Sequence, residues 1–214
     1  MPKMTEERLT RLRTVACQRQ TNFTVVLENV HDPHNISAVL RSCEAVGIAE
    51  VFVLYTEPKL QEDYLTLGKK SSAGARKWLN VNYYTQMDNC FAAVRARYDH
   101  IYATHMAQDA SSLYDLNLTE SVALLFGNEH DGVSEAALRY TDSNFLIPQM
   151  GMVQSLNISV ACAVSVFEGL RQRMTKDFYG ANNPATESAQ AAILQDYIQR
   201  HEGKASGKKT RRKD

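Results

Sequence analysis

The amino-acid sequence predicts an α/β protein: a parallel sheet covered on both faces by helices. Three observations carry this. Short apolar runs at 23–27, 51–55, 79–84, 100–104, 122–126 and 144–147 have the length of buried strands. Segments with apolar residues at helical spacing fall between them, and that alternation is the mark of a parallel sheet. The runs at 122–126 and 145–147 each stop abruptly at a polar loop containing glycine. In open α/β sheets ligands bind where the carboxyl ends of strands hand over to loops. The stretch from Leu124 to Ala163 therefore reads as a site as well as a core.

The elements follow in order. Residues 4–17 place Leu9, Leu12, Val15 and Ala16 at helical spacing, with Arg8, Arg11 and Arg13 among the polar positions. After the strand at 23–27, Asn35 is a good N-cap for a helix whose apolar face is Ile36, Val39, Leu40, Cys43 and Val46. Gly47 supplies its stop. Helices at 88–97 and 134–140 fit between the later strands. From Ser155 to about Lys176, the residues Ile158, Cys162, Val166 and Leu170 mark a long helix. Asn182-Asn183-Pro184 breaks the chain, and a polar helix at 187–200 precedes a basic tail expected to be disordered. The expected organisation is a helical extension at 1–20, a domain at 21–176, a second helical extension at 177–202 and the tail at 203–214.

The chain has 214 residues, enough to bury a large core without staples. Its 24 Lys+Arg balance 24 Asp+Glu, but unevenly. Lys204, Lys208, Lys209, Arg211, Arg212 and Lys213 crowd the tail, and Lys69, Lys70, Arg76 and Lys77 form a second basic stretch. Basic ends on a neutral protein point to a polyanionic partner; a merely solvated tail is the plainer alternative. Cys17, Cys43, Cys90 and Cys162 include no CxxC pair, and each falls in a helix-like pattern. They read as small buried apolar residues in a reducing compartment. With no signal peptide and no apolar run of about 18 residues, a cytoplasmic protein with no membrane partner is expected.

The missing motifs narrow the chemistry. There is no GxGxxG after a strand and no GxxxxGK[ST]. His31 and His34 lack a third ligand, so no metal is expected. Gly151-Met152-Val153-Gln154-Ser155 lacks the second glycine of a nucleophile elbow. Three segments remain. Asn35 and Arg41 share a helix but stand about 1.7 turns apart, hence on different faces. Glu129 follows a buried strand, where a carboxylate must be solvated or paired. Ser155 and Asn157 open the long helix, where Ser155 as N-cap and Asn157 as an ordinary first-turn residue is the plainer reading.

Together these segments resemble the SpoU/TrmH family of the SPOUT superfamily of methyltransferases. Asn35-Ile36-Ser37-Ala38-Val39-Leu40-Arg41 is similar to its first motif. Leu125-Phe126-Gly127-Asn128-Glu129 with Gly132 is similar to its second, and Ile147-Pro148 with Ser155-Leu156-Asn157-Ile158-Ser159-Val160-Ala161 to its third. The resemblance covers roughly residues 20–175 and is nearest to members acting on a guanosine of tRNA.

The resemblance implies a SPOUT fold ending in a deep trefoil knot, which pattern reasoning alone excludes. It implies an obligate homodimer and S-adenosylmethionine held against Thr104, Gly127, Ile147 and Leu156. It implies 2′-O-methylation of a ribose in tRNA, with the D-loop guanosine as the expected target. Arg41 matches the catalytic arginine, and Asn35, Glu129, Ser155 and Asn157 match positions that support catalysis or shape the site. Arg41 either accepts the proton of the 2′-hydroxyl or stabilises the developing alkoxide. Its pKa, above about 12, favours the second. Asn35 and Glu129 would orient it from the sides. Ribosomal RNA relatives often carry an additional N-terminal domain, whereas about twenty residues precede the first strand here, which favours tRNA. Methylation of ribosomal RNA, a non-catalytic RNA-binding module and an α/β enzyme acting on a small nucleotide are the other readings.

Overall fold

The computed structural model describes residues 4–63, 74–107, 110–153, 155–203 and 211–212. Helix α1 (Glu6–Cys17) leads into β1 (Phe23–Glu28), α2 (Pro33–Ala45), β2 (Glu50–Leu54), a short α3 (Pro58–Asp63), β3 (Asn80–Tyr84), α4 (Met87–Arg95) and β4 (His100–Thr104). There follow β5 (Ser111–Ser112), β6 (Val122–Phe126), α5 (Glu135–Leu138), β7 (Ser143–Leu146), α6 (Ile158–Thr175), α7 (Glu187–His201) and β8 (Arg211–Arg212). Single 3-10 turns lie at Ala75–Lys77 and Leu113–Asp115.

The strands form one sheet in the order β5-β7-β4-β6-β1-β2-β3-β8, and every pairing is parallel. From β1 the chain builds outward through β2 and β3. It then crosses to build the other half, so the direction of winding reverses between β1 and β6. Alternate residues of the central strands feed two cores. On one face Val25, Leu27, Val53 and Leu124 pack with Ile36, Val39 and Leu40 of α2 and Ile158, Cys162 and Val166 of α6. On the other, Val26, Phe52, Ile101 and Leu125 pack with Cys90, Phe91 and Val94 of α4 and Ala137 of α5. Each fully buried Val, Leu, Ile or Phe side chain among these contributes about 1.5–3 kcal/mol. Helix α6 lies so close to β1 that a Cβ on Gly169 would sit 2.6 Å from the Phe23 ring.

The two-sided parallel sheet is as the sequence predicts, and its details differ in instructive ways. Asp32, not Asn35, caps α2: its carboxylate accepts the His34 N–H at 2.8 Å, and Pro33 takes the first helical position with its φ already set. Asn157, not Ser155, caps α6 by accepting the Ser159 N–H at 2.8 Å. Cys43, Cys90 and Cys162 are buried, but Cys17 lies exposed on α1, on the side turned from the core. The helix expected at 134–140 is only four residues long. The pieces α3, β5 and β8 are too short to show a period. Of the tail at 203–214, Arg211–Arg212 pair with β3, while 204–210 and 213–214 lie outside the described residues. So do Lys69, Lys70 and Gln154. Among the described residues no helix is long and apolar enough to cross a membrane.

Candidate active site

The three motif segments meet where the winding reverses. Strand β6 ends at Gly127, and the chain doubles back at once: Asn128 N–H donates to Gly132 O at 3.1 Å and Gly132 N–H to Asn128 O at 3.2 Å. A Cβ on Gly127 would lie 1.9 Å from the Gly132 carbonyl, so only glycine fits there. The Asn128 side-chain oxygen accepts the His130 and Asp131 N–H groups at 2.8 and 2.7 Å. This tight loop carries Glu129 at its tip. Its far end is fastened to β1: the buried Glu28 carboxylate accepts Ser134 N–H at 2.9 Å and Ser134 Oγ–H at 2.5 Å. Glu28 was not singled out from sequence, although it carries the same signal as Glu129, an acid closing a buried strand.

Asn35 sits in the first turn of α2, buried against this loop. Its Nδ2 donates to Glu129 Oε1 at 2.6 Å, and its Oδ1 accepts from Asn157 Nδ2 at 3.1 Å. The direction of this chain follows from the helix cap. Asn157 spends its Oδ1 on Ser159, accepting both the N–H and the Oγ–H at 2.8 and 2.6 Å, so only its amide nitrogen is left to face Asn35. Asn35 must then present oxygen to Asn157 and nitrogen to Glu129. One residue from each motif is thereby tied into a single network.

Thr104, Gly127 and Ile147 end or follow β4, β6 and β7, which are neighbours in the sheet. Thr104 Oγ1 donates to Leu125 O at 3.2 Å and ties two of these ends together. Ile147 is half-buried against the core, while Leu156, just before α6, is 38% exposed. This gives a partly apolar shelf beside the network. Ser155 is exposed and makes no bond among the described residues.

Arg41 does not join the network. It is exposed on another face of α2, as 1.7 turns of separation requires, so within one chain Asn35 and Glu129 do not flank it. It lines a separate hollow with Arg8, Arg11, Glu44, Trp78 and Tyr197. The last two were not anticipated, because the hollow assembles only when α1 and α7, from opposite ends of the chain, pack together. Burial pushes the Cys90 thiol up to about 12, so it is no candidate nucleophile. Among the described residues no three His, Cys, Asp or Glu side chains gather as a metal site.

The model of the SpoU rRNA Methylase family matches residues 22–167. The chain is 38% identical over 203 residues to a tRNA (guanosine(18)-2′-O)-methyltransferase of Thermus thermophilus, covering 94% of this chain and all of the relative. It is 32% identical to the enzyme of the same description from Escherichia coli K12, over 89% of this chain and 81% of the relative. Among solved structures, the TrmH/SpoU tRNA modifying enzyme of A. aeolicus superposes with a TM-score of 0.77 at 30% identity, covering 92% and 97% of the two chains. The SpoU methyltransferase AviRb from Streptomyces viridochromogenes, solved with AdoMet, gives 0.64 at 25% identity, covering 82% of this chain and 67% of that one. A family match over most of the chain, carried by the segments that converge on Asn35, means that this protein belongs to the SpoU rRNA methylase family.

Proposed function

We propose that this protein transfers a methyl group from S-adenosylmethionine to a ribose 2′-hydroxyl of tRNA, with the D-loop guanosine as target. The observation that carries the reading is the Glu129–Asn35–Asn157 network, which binds the three motif segments together at the reversal of the sheet. The tRNA guanosine methyltransferases among the relatives support tRNA over ribosomal RNA. So does α1, which packs on α7 and presents Arg8 and Arg11. A cytoplasmic setting follows from that substrate.

The shelf of Thr104, Gly127, Ile147 and Leu156 suits a methionine-adenosyl group: three adjacent strand ends offer backbone donors and acceptors beside an apolar wall. S-adenosylmethionine supplies a methyl already activated for displacement. The protein's part is to align the hydroxyl and help remove its proton, and alignment alone supplies several kcal/mol. Arg41 is the catalytic residue, a cation for the developing alkoxide. Asn35, Glu129 and Asn157 hold the floor of the site in register, and Ser155 shapes its rim. The C-terminal part of the fold forms the deep trefoil knot of the family.

The protein works as a homodimer. Val160, Phe167 and Met174 stand seven residues apart on α6 and are 46%, 48% and 63% exposed. Met150 and Met152 of the preceding loop are 96% and 99% exposed. A stripe of this kind marks an interface. Sedimentation should show a dimer that Phe167→Glu dissociates.

Tritiated-methyl transfer from S-adenosylmethionine into tRNA, ribosomal RNA and no RNA tests the reading. Label in tRNA as a 2′-O-methylguanosine is expected; label only in ribosomal RNA, or in neither, overturns it.

A further inference from the structure

The hollow around Arg41 has a volume of about 330 Å³, at the small end of ligand pockets, which start at about 300 Å³. Its arginines contrast with six others of this chain. Arg19, Arg95, Arg97, Arg171, Arg173 and Arg200 all place their guanidinium groups on hydrogen-bond acceptors. The side chains of Arg8, Arg11 and Arg41 make no hydrogen bond or ion pair among the described residues, and Arg8 Nε is a buried donor without a partner. Among the described residues the one acid in the lining, Glu44, is already held by Arg19 at 2.8 Å. The hollow is therefore left with unanswered positive charge.

It also holds a plane. The Arg8 guanidinium lies 5.3 Å from the centre of the Trp78 ring, and Lys77 Nζ lies 5.0 Å from it. Trp78 is fixed from behind: Tyr197 meets it edge-on at 5.3 Å and donates its hydroxyl to Trp78 O at 2.9 Å, while Arg19 Nε donates to that hydroxyl at 2.6 Å. Aromatic rings and guanidinium planes set among phosphate-binding cations are how proteins take hold of unstacked RNA bases. S-adenosylmethionine, whose sulfonium is positive, is a poor fit to such a place.

We propose that this hollow seats one unpaired RNA nucleotide adjoining the methylated ribose, with its base against the Arg8–Trp78 pair and its phosphate on Arg11 and Arg41. The assignment of Arg41's neighbour rests on the methyltransferase reading; the RNA-binding hollow itself does not. On this view α1 and α7 do more than tether the substrate, because they build the wall that positions a nucleotide beside Arg41.

Trp78 is the only tryptophan of the chain, so its fluorescence reports on this hollow alone. The full-length protein is titrated with tRNA, a guanosine-containing single-stranded hexamer, inorganic polyphosphate, polyglutamate and S-adenosylmethionine. Both RNAs should quench the emission saturably, and the other three should not. By filter binding, Trp78→Leu should weaken RNA affinity about fivefold or more, with Trp78→Phe retaining most of it. Arg11→Gln, on an exposed side chain, should lower the slope of log affinity against log salt by about 0.7. RNA binding with unchanged emission, equal quenching by polyphosphate or polyglutamate, or wild-type affinity and slope in Arg11→Gln each overturns the proposal. Methyl transfer measured on the same samples separates the two readings. Quenching without transfer would refute the methyltransferase and keep the hollow; transfer without quenching would do the reverse.

Discussion

Arg173 and Arg41 show two uses of the same side chain on two helices that share a core. Arg173, near the end of α6, is fully buried and saturated. It donates to Leu118 O, Gln20 Oε1, Asn22 Oδ1, Asn22 O and Glu120 O at 2.7–3.3 Å and lies 4.6 Å from the centre of the Phe23 ring. No carboxylate is among these partners, and burial lowers its pKa to about 10, still charged at neutral pH. Arg41, on α2, is exposed, and its side chain makes no bond among the described residues. A guanidinium with every donor committed holds a fold together and has nothing left for a ligand. One with every donor free adds little to folding and is available for chemistry.

The largest effect expected is on stability, at Arg173. Arg173→Met strips donors from several buried carbonyls at once and should cost at least about 3 kcal/mol in chemical denaturation. Arg173→Lys should recover little of it, since one ammonium cannot span acceptors arranged for a planar fork. Methylation per folded molecule should stay near wild type; a loss of turnover in the folded fraction would blur the distinction drawn here.

A middle case lies in the asparagine network, where stability and positioning are joined in one residue. Asn157→Ala removes a helix cap and should cost about 1 kcal/mol. Asn157→Asp keeps the cap but turns a carboxylate toward Asn35 Oδ1, so stability should be nearly restored. Activity should still fall about tenfold or more, because the direction of the Asn35 amide is no longer set. If the aspartate variant regains both, the network is a cap and nothing else.

The smallest effect concerns a surface pair. Arg95 contacts Asp142 at 2.7 Å on partly exposed side chains. Burial works against the Asp142 charge, but Arg95 and the Ile101 N–H outweigh it and hold the carboxyl below its usual range. A carboxyl lowered in the folded state stabilises at pH values above the ordinary carboxylate range, and that contribution is lost as pH falls through the folded value. Asp142→Asn should thus melt lower than wild type at pH 7, by about 0.2–1 kcal/mol, and the gap should close toward pH 3. A gap that widens on acidification would refute the assignment.

The sequence made much of this legible, and the exceptions share a cause. Strands β4 and β6 were read to the residue, because a buried parallel strand is a continuous apolar run with a sharp end. Of the motif residues, Asn35, Glu129 and Asn157 meet in one hydrogen-bonded network. The caps were misassigned because Asp32 and Asn35, or Ser155 and Asn157, satisfy the same preference. Pro33 after Asp32 was the signal that could have decided the first. Nothing local marked Trp78, Tyr197 or Arg19, since their roles exist only where α1, α2 and α7 close on one another. The separation of Arg41 from Asn35 was in the helical geometry, although the motif places them together.

Arg41→Ala, read by both melting and single-turnover methylation of tRNA, tests the account most directly. The exposed, unbonded side chain predicts a stability within about 0.5 kcal/mol of wild type, unchanged heat of S-adenosylmethionine binding, and a methylation rate lower by about 100-fold or more. Arg41→Lys should recover little of that rate. Methylation within threefold of wild type in the alanine variant would contradict the account and move the chemistry to Asn35 or Glu129.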